Sequence, residues 1–473
     1  MQPKNFQFGG GAADTILHPL VALGMLVAIV LILVLPRNKA IMPFLIAFLT
    51  IPLGQVLVVG GVHFLMHQVL ILTVLARMAA FRGQRRFAGG FNALDKLVVL
   101  WSLSAFIIFS LAWMQMQAVI KSAGELVISL GGYMAVRFLI PDRATIQRSI
   151  RALAVVCVIQ GAFMVSEQFT YLNVFSSFGA NPPTFREGHI RSEGAMGNLW
   201  AGALAGIVIP LFVWQWSEGR SSRITACAGL AGATAMVFAT YASTAWSAYG
   251  ASLLGLGFWF LRKRMRLVRW GLVAVLVGLH LVMHGPVWSL IEKIDLTGGS
   301  SSYHRYMLVD NCIRHFGDWW LLGSKTYGNW GFVMFDVCNQ FILAGLRGGL
   351  VTLLIYIGIY KQSFGAIGIA RKRVEGDRGQ EWLLWCLGSA LFTTVVASFG
   401  IYFSVHLFVC FVSLLAGISV AILESRRATV RRAPVPAELG SASYGETTDL
   451  LLDKTREASR YHLFEARSGT FLD

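Results

Sequence analysis

Two stretches of this chain carry residues whose types suit the handling of a phosphate ester. In Asn181-Pro182-Pro183-Thr184-Phe185-Arg186-Glu187-Gly188-His189-Ile190-Arg191-Ser192-Glu193-Gly194, two arginines, two glutamates and a histidine fall within eight residues. A guanidinium fork matches phosphate oxygens two at a time and stays charged at any relevant pH, so such a pair can clamp an anion. The glycine-flanked approach to a helix starting near Gly197-Asn198 would add backbone donors to the same site. The structural alternative is an Arg-Glu surface pair or headgroup anchoring. The second stretch, residues 300–349, is a polar, aromatic-rich insert in an otherwise hydrophobic chain. From Tyr303, the positions Tyr306, Met307, Val309, Ile313 and Phe316 recur at three- and four-residue steps, while Arg305, Asp310, Asn311, Arg314 and His315 fill the polar positions. That periodicity predicts an amphipathic helix lying along a membrane surface, with Arg305 and Arg314 open to an anionic headgroup. Trp319 and Trp320 read as an interfacial anchor. Gly323, Gly328 and Gly331 break the chain into a turn-rich lid ending at Asp336.

The elements that must position these residues are apolar helices. The 473 residues are 56% hydrophobic and only 14% charged, and the mean hydropathy is +0.63; this is the composition of a polytopic membrane protein. A bilayer core of roughly 30 Å takes about 20 apolar residues per helix, and unsatisfied backbone groups forbid other spanning forms for such runs. Spans are expected at about 17–36, 40–59, 63–80, 97–116, 120–140, 149–169, 197–216, 223–241, 243–261, 268–286, 337–360, 381–400 and 403–423. Around Gly60-Gly61 a re-entrant hairpin fits as well as two spans. The fold class is therefore all-α, a transmembrane bundle of 12 to 13 spans over residues 1–424 with a long outer loop. From 425 to 473 a largely disordered cytoplasmic tail is expected, with a short helix near Thr447–Arg460. Glycines 229, 232, 250, 255 and 257 read as close helix packing.

The net charge of +16 could suggest nucleic acid. Its distribution excludes that reading, because most of the 40 basic residues fall in alternate loops. This is the positive-inside pattern, and it places the C-terminus inside and residues 170–196 and 287–336 outside. With thirteen spans the N-terminus is outside, and with twelve it is inside. The first 16 residues lack a basic n-region and cleavage site, so no cleavable signal peptide is expected. Only Cys312 and Cys338 fall near the outer face, too few for a disulfide framework. No zinc-type spacing and no Walker loop are present, so neither a metal, a cofactor nor ATP-driven transport is expected.

The order of these pieces resembles the O-antigen ligase and polysaccharide polymerase family. The pieces are Arg191 to Gly194 before a span, Ser301 to Arg305, Trp320-Leu321-Leu322-Gly323, then Cys338-Asn339-Gln340 through Gly348-Gly349-Leu350. The resemblance covers roughly residues 180–360. It implies metal-independent glycosyl transfer at the periplasmic face of the bacterial inner membrane, from a glycan on undecaprenyl diphosphate to a lipid-linked repeat or to lipid A core. A chain-length regulator protein is a further partner that such a polymerase implies. Fixed cations would hold the charge growing on the departing diphosphate. Arg191 and Arg305 are expected in that role, with Arg186 and Arg314 behind them. Two departures stand out. Ligases of the family place a His where this chain has Cys338, and a buried thiol is a poor base; that favours polymerase over ligase. The Ser-Arg-Gly/Thr signature is replaced by Ser243-Thr244-Ala245-Trp246. Asp336 is the expected substitute base, with Glu193, His189 and His304 as alternates, and Asn339 and Gln340 are expected at the substrate. The structural alternative for Asp336 is a helix N-cap. A reading from another class is a transporter or flippase for an anionic lipid-linked substrate, which intramembrane charge would favour; here only Lys121, Glu125 and Glu167 offer it, toward one edge. A wall-synthesis type glycan polymerase with a similar bundle is a neighbour in chemistry.

Overall fold

A computed structural model describes residues 15–83, 86–283, 285–293, 302–331 and 334–432. Among them lie α1 (Pro19–Val34), α2 (Ile41–Thr50), α3 (Met66–Ala80), α4 (Ala93–Trp113), α5 (Met116–Leu126), α6 (Gly132–Leu139), α7 (Arg143–Thr170), α8 (Asn198–Trp216), α9 (Arg220–Thr240), α10 (Ser243–Gly257), α11 (Met265–Val282), α12 (Leu290–Lys293), α13 (Ser302–Arg314), α14 (Phe316–Trp319), α15 (Gln340–Arg373), α16 (Arg378–Ser398) and α17 (Val405–Arg432). Two antiparallel hairpins, β1 (Val56–Val59) with β2 (Val62–Leu65) and β3 (Thr184–Arg186) with β4 (His189–Arg191), lie between them, beside short 3-10 and π-helical turns. The chain is 76% helical, an all-α polytopic membrane protein.

Nine of the helical runs among the described residues are long and apolar enough to cross a bilayer, and α1, α2 and α3 are shorter apolar helices. The expected spans map onto these runs and the three shorter helices, with differences at three places. The span at 40–59 stops at Thr50, and β1 and β2 fill the interval before α3. Gly60 and Gly61 turn the hairpin with φ of 57° and 78°, the paired positive values of a two-residue hairpin turn. The periodicity missed it because Val56–Val59 is a run of four apolar residues, which reads equally as buried helix. The spans at 243–261 and 268–286 are α10 and α11, joined through a 3-10 stretch, Phe258–Arg264, rather than a loop. α17 runs on to Arg432, past the expected end of the bundle at 424. The tail from 433, its expected helix near Thr447–Arg460, and Ser300 and Ser301 lie outside the described residues.

The bundle packs through small residues, as helices must where lipid removes the hydrophobic drive between them. A methyl group on Gly161 of α7 would stand 2.7 Å from the Gly232 carbonyl of α9. Gly229 is nearly as tight against Ala154, at 2.9 Å, and Gly255 somewhat looser against Ser389, at 3.1 Å. Gly250 and Gly257 have open space beside them instead, which corrects their reading as contact points. All six cysteines are free thiols.

The expected interfacial helix forms as α13, turned differently from the expectation. Asp310 and Asn311 are buried, and Ile313 and Phe316 are exposed. Asp310 turns inward because it accepts from the Trp288 indole at 3.2 Å and from Arg314 Nε at 2.7 Å. Trp319 is no interfacial anchor. Its indole N–H donates to the Cys312 carbonyl at 2.8 Å and its ring packs on Gly345 of α15; Trp320 stays exposed.

Candidate functional site

Arg191 is placed by buried polar groups of α7. Glu167 accepts the backbone N–H groups of Glu193 and Gly194 at 2.7 and 3.1 Å, and Gln160 accepts that of Ala195 at 3.1 Å. The Gln168 amide donates to the Ile190 carbonyl, Ser192 Oγ and the Ala239 carbonyl. These bonds satisfy a buried backbone that no helix or sheet could serve. Gly194 has φ of 57° and Gly197 φ of 91°, conformations that favour glycine. The hairpin turn at Glu187-Gly188 pairs Arg186 with His189 and Thr184 with Arg191, so alternate residues of β3 and β4 share one face.

Arg305 comes from α13, and the loop after α13 is clamped to α15. Gly348 and Gly349 interrupt α15, with φ/ψ of −136°/17° and 65°/−174°. The turn Trp320-Leu321-Leu322-Gly323 docks into that break. The Leu350 N–H donates to the Trp320 carbonyl at 2.7 Å, and the Ser324 N–H donates to the Leu346 carbonyl at 2.9 Å. A side chain on Gly323 would strike Leu346, and one on Gly349 would strike Leu321. Two motifs 26 residues apart in sequence are thus the halves of one joint.

The arginines meet in a cavity of about 240 Å³ lined by Arg186, Glu187, Arg191, Leu199, Tyr241, Ser243, His304, Arg305, Asp336, Cys338 and Gly400. Arg305 Nη2 donates to Thr244 Oγ1 at 3.0 Å. The Nε atoms of both Arg191 and Arg305 are buried without a hydrogen-bond partner, and neither guanidinium pairs with a carboxylate among the described residues. Burial, and then the Arg186 charge, hold the Arg191 pKa below its ordinary value, with Arg305 adding to the effect. Cations crowded in this way gain most from a ligand anion that neutralises them.

Other expected residues divide between the cavity and the scaffold. His189 stacks on Tyr241, with ring centroids 3.9 Å apart, and its Nε2 lies 2.9 Å from the Tyr241 hydroxyl. Asp336 lines the cavity and is not the helix cap; Asn339 is, accepting the N–H groups of Phe341 and Ile342 at 2.9 and 3.1 Å. Glu193 is 5% exposed and accepts the Asn198 N–H at the start of α8. Gln340 accepts the Phe403 N–H at 2.7 Å. Arg314 is held by Asp310 and does not line the cavity. Glu193, Asn339, Gln340 and Arg314 thus make local structural bonds and do not line this cavity.

His304 Nδ1 stands 3.7 Å from Cys338 Sγ. An imidazole thus reaches, from 34 residues upstream, the place where the family resemblance expects a histidine. Cys338 itself is unsuited to proton transfer, since burial pushes its thiol up to about 11. At pH 8 roughly one thiol in a thousand is ionised at that value. Alkylation of Cys338, followed by peptide mass spectrometry, is expected to be roughly 100-fold slower at pH 8 than for an ordinary thiol and to rise tenfold per pH unit toward pH 11. Rapid alkylation at neutral pH would contradict this. Sequence reasoning missed Tyr241 and Gly400, which carry no signal beyond lying next to helix ends. Ser243 and Thr244 had one, as the residues in place of an expected arginine signature.

An apolar groove lies along two helices whose ends border the polar cavity. Trp246, Ser247, Gly250, Ala251 and Leu254 of α10 and Phe392 and Val396 of α16 line it. Ser243 and Gly400, at the ends of the same two helices, line the polar cavity. No protein-family model matches the chain, and no curated protein matches it.

Proposed function

We propose that this protein is a glycosyltransferase that acts on a glycan carried by undecaprenyl diphosphate, at the periplasmic face of a bacterial inner membrane, and that it polymerises such glycans. The observation that carries the reading is the pair Arg191 and Arg305, brought into one cavity from separate loops with their Nε atoms buried and unpartnered. A diphosphate offers acceptor oxygens for both forks. The apolar groove along α10 and α16 offers its isoprenoid chain a continuation into the bilayer.

The step would run as follows. An acceptor hydroxyl oxygen forms a bond to the anomeric carbon of the donor sugar, and the anomeric carbon–oxygen bond to phosphate breaks. The bonding electrons leave with the diphosphate, whose added charge Arg191 and Arg305 stabilise. The hydroxyl proton passes to the His304 imidazole, with Asp336 lining the same cavity. Arg186 and His189 lie at the cavity's hairpin edge and suit contacts to the glycan.

One observation favours a ligase as the second reading. The reason for preferring polymerase was the absence of a histidine at Cys338, and His304 supplies an imidazole there. A deletion strain separates the two. The polymerase reading expects loss of long glycan chains with single repeats retained on the surface. Loss of every chain from its acceptor lipid would mean ligase, and lipid-linked glycan trapped inside the cell would contradict both. Of the charges that would favour a transporter, Glu167 is occupied by the Glu193 and Gly194 N–H groups, while Glu125 pairs with Arg347.

A further inference from the structure

We infer that the apolar cavity lined by Trp101 and Phe408, beside this site, is a second lipid site, which takes the isoprenoid chain of a phosphate-bearing acceptor lipid with its head on Arg347 and Lys121. The inference rests on the reading of the first cavity as the donor site. This second cavity, of about 370 Å³, is lined by Leu53, Trp101, Phe106, Leu343 and Phe408 among others, with Arg347 and Glu125 at its edge. Arg347 Nη1 pairs with Glu125 Oε2 at 3.0 Å, and each side chain is 40% exposed.

Arg347 is seven residues into α15 and Glu125 nine residues into α5, so both stand roughly 10 to 14 Å along their helices from the helix starts at the usual helical rise. Ionisable groups within apolar helices are costly and mark binding or conduction paths. Lys121 lies one turn before Glu125 on the same helix and within electrostatic range of both partners. Lys325 sits over the Trp113 ring at 5.3 Å, in the turn that bonds Leu346 beside Arg347. Two cations, Arg347 and Lys121, stand with the single Glu125 carboxylate, so this end of the cavity favours a negative head.

A thin wall separates this cavity from the arginine site. Leu199, Cys338 and Gly400 line the arginine side, while Trp200, Gln340 and Tyr402 line the other. The Trp200 indole donates to the Tyr402 carbonyl at 2.8 Å, which fixes the wall. The Tyr402 hydroxyl is held above its ordinary pKa by burial and by Asp336 from one side, while Arg347 acts on it from the other. The arginine cavity and this second cavity, each with its own cations, thus stand on the two sides of that wall. Transfer between two lipid-borne molecules needs that arrangement; export of one lipid does not.

The test uses the full-length protein in liposomes with a diazirine-bearing polyprenyl phosphate, and a diazirine-bearing polyprenol of equal length as the neutral probe. Labelled peptides are mapped by mass spectrometry. The phosphate probe is expected to label α15 near Leu343 and α17 near Phe408 at least tenfold more than the polyprenol does. Lys121→Gln, and the pair Glu125→Gln with Arg347→Gln, which leaves no unpaired charge, are expected to lower that label about tenfold while the label on α10 and α16 persists. Equal labelling by polyprenol would show an ordinary lipid crevice and overturn the inference. Parallel loss of both labels would make this one site with the donor cavity, and would overturn it too. If Arg191→Gln leaves the α10 and α16 label unchanged, the donor reading fails while the second lipid site stands on its own label.

Discussion

Replacing Arg191 or Arg305 by glutamine is expected to lower glycosyl transfer by about 10²- to 10³-fold, the usual effect of removing one charged stabiliser from a developing oxyanion. The protein should still fold, because neither guanidinium pairs with a carboxylate among the described residues and the scaffold bonds near Arg191 run through Gln160, Glu167 and Gln168. Lysine at either position keeps the charge and loses the fork, so it should recover only part of the rate. Arg305 needs a control, since it also donates to Thr244 Oγ1. Thr244→Val removes that bond and keeps the cation, and it should cost far less than Arg305→Gln. Equal losses would make Arg305 a brace of α10 rather than a charge acting on the diphosphate. Transfer rates by purified variants, compared at matched thermal stability, decide the matter.

The second large effect is expected at His304. Loss of a general base typically costs about 10²- to 10⁴-fold, and His304→Ala should fall in that range while Asp336→Asn falls short of it. Two rescues distinguish a proton-transfer role from packing. Added imidazole should restore part of the activity of His304→Ala. Placing the ring on the other side of the 3.7 Å contact, by combining His304→Ala with Cys338→His, should restore more. If Cys338→His rescues nothing and Asp336→Asn is as damaging as His304→Ala, the proton passes to the carboxylate instead.

Much of the bundle was legible because membrane spans are set by composition and length, and helix is the form that satisfies backbone groups in lipid. The Ser243–Gly257 and Met265–Val282 helices were separable by the basic residues between them. The Gly60-Gly61 interruption was visible as a break, though the strand character of its flanks was not. The arginines were legible by residue type, and their convergence was suggested only by the order of motifs. What remained hidden depended on tertiary partners. Nothing in the sequence says that Glu193 spends its carboxylate on the Asn198 N–H, that Asn339 rather than Asp336 caps its helix, or that Arg314 is held by Asp310. The Arg347 and Glu125 pair was not legible because the residues lie 222 apart, although Glu125 alone stands out as a charge within an apolar run. His304 ranked behind Asp336 because sequence proximity to Cys338 was the available measure, and the fold brings a residue 34 positions away into contact.

The central claim is that a bond is broken at the Arg191 and Arg305 cavity. The measurement that tests it most directly uses the purified protein in liposomes with a glycan on undecaprenyl diphosphate, following released lipid diphosphate and glycan length together. The account predicts that diphosphate release and chain growth rise in step, persist in chelator, and both fall about 10²-fold or more in Arg191→Gln and Arg305→Gln. Appearance of the intact lipid-linked glycan on the opposite leaflet, with no diphosphate released, would contradict it.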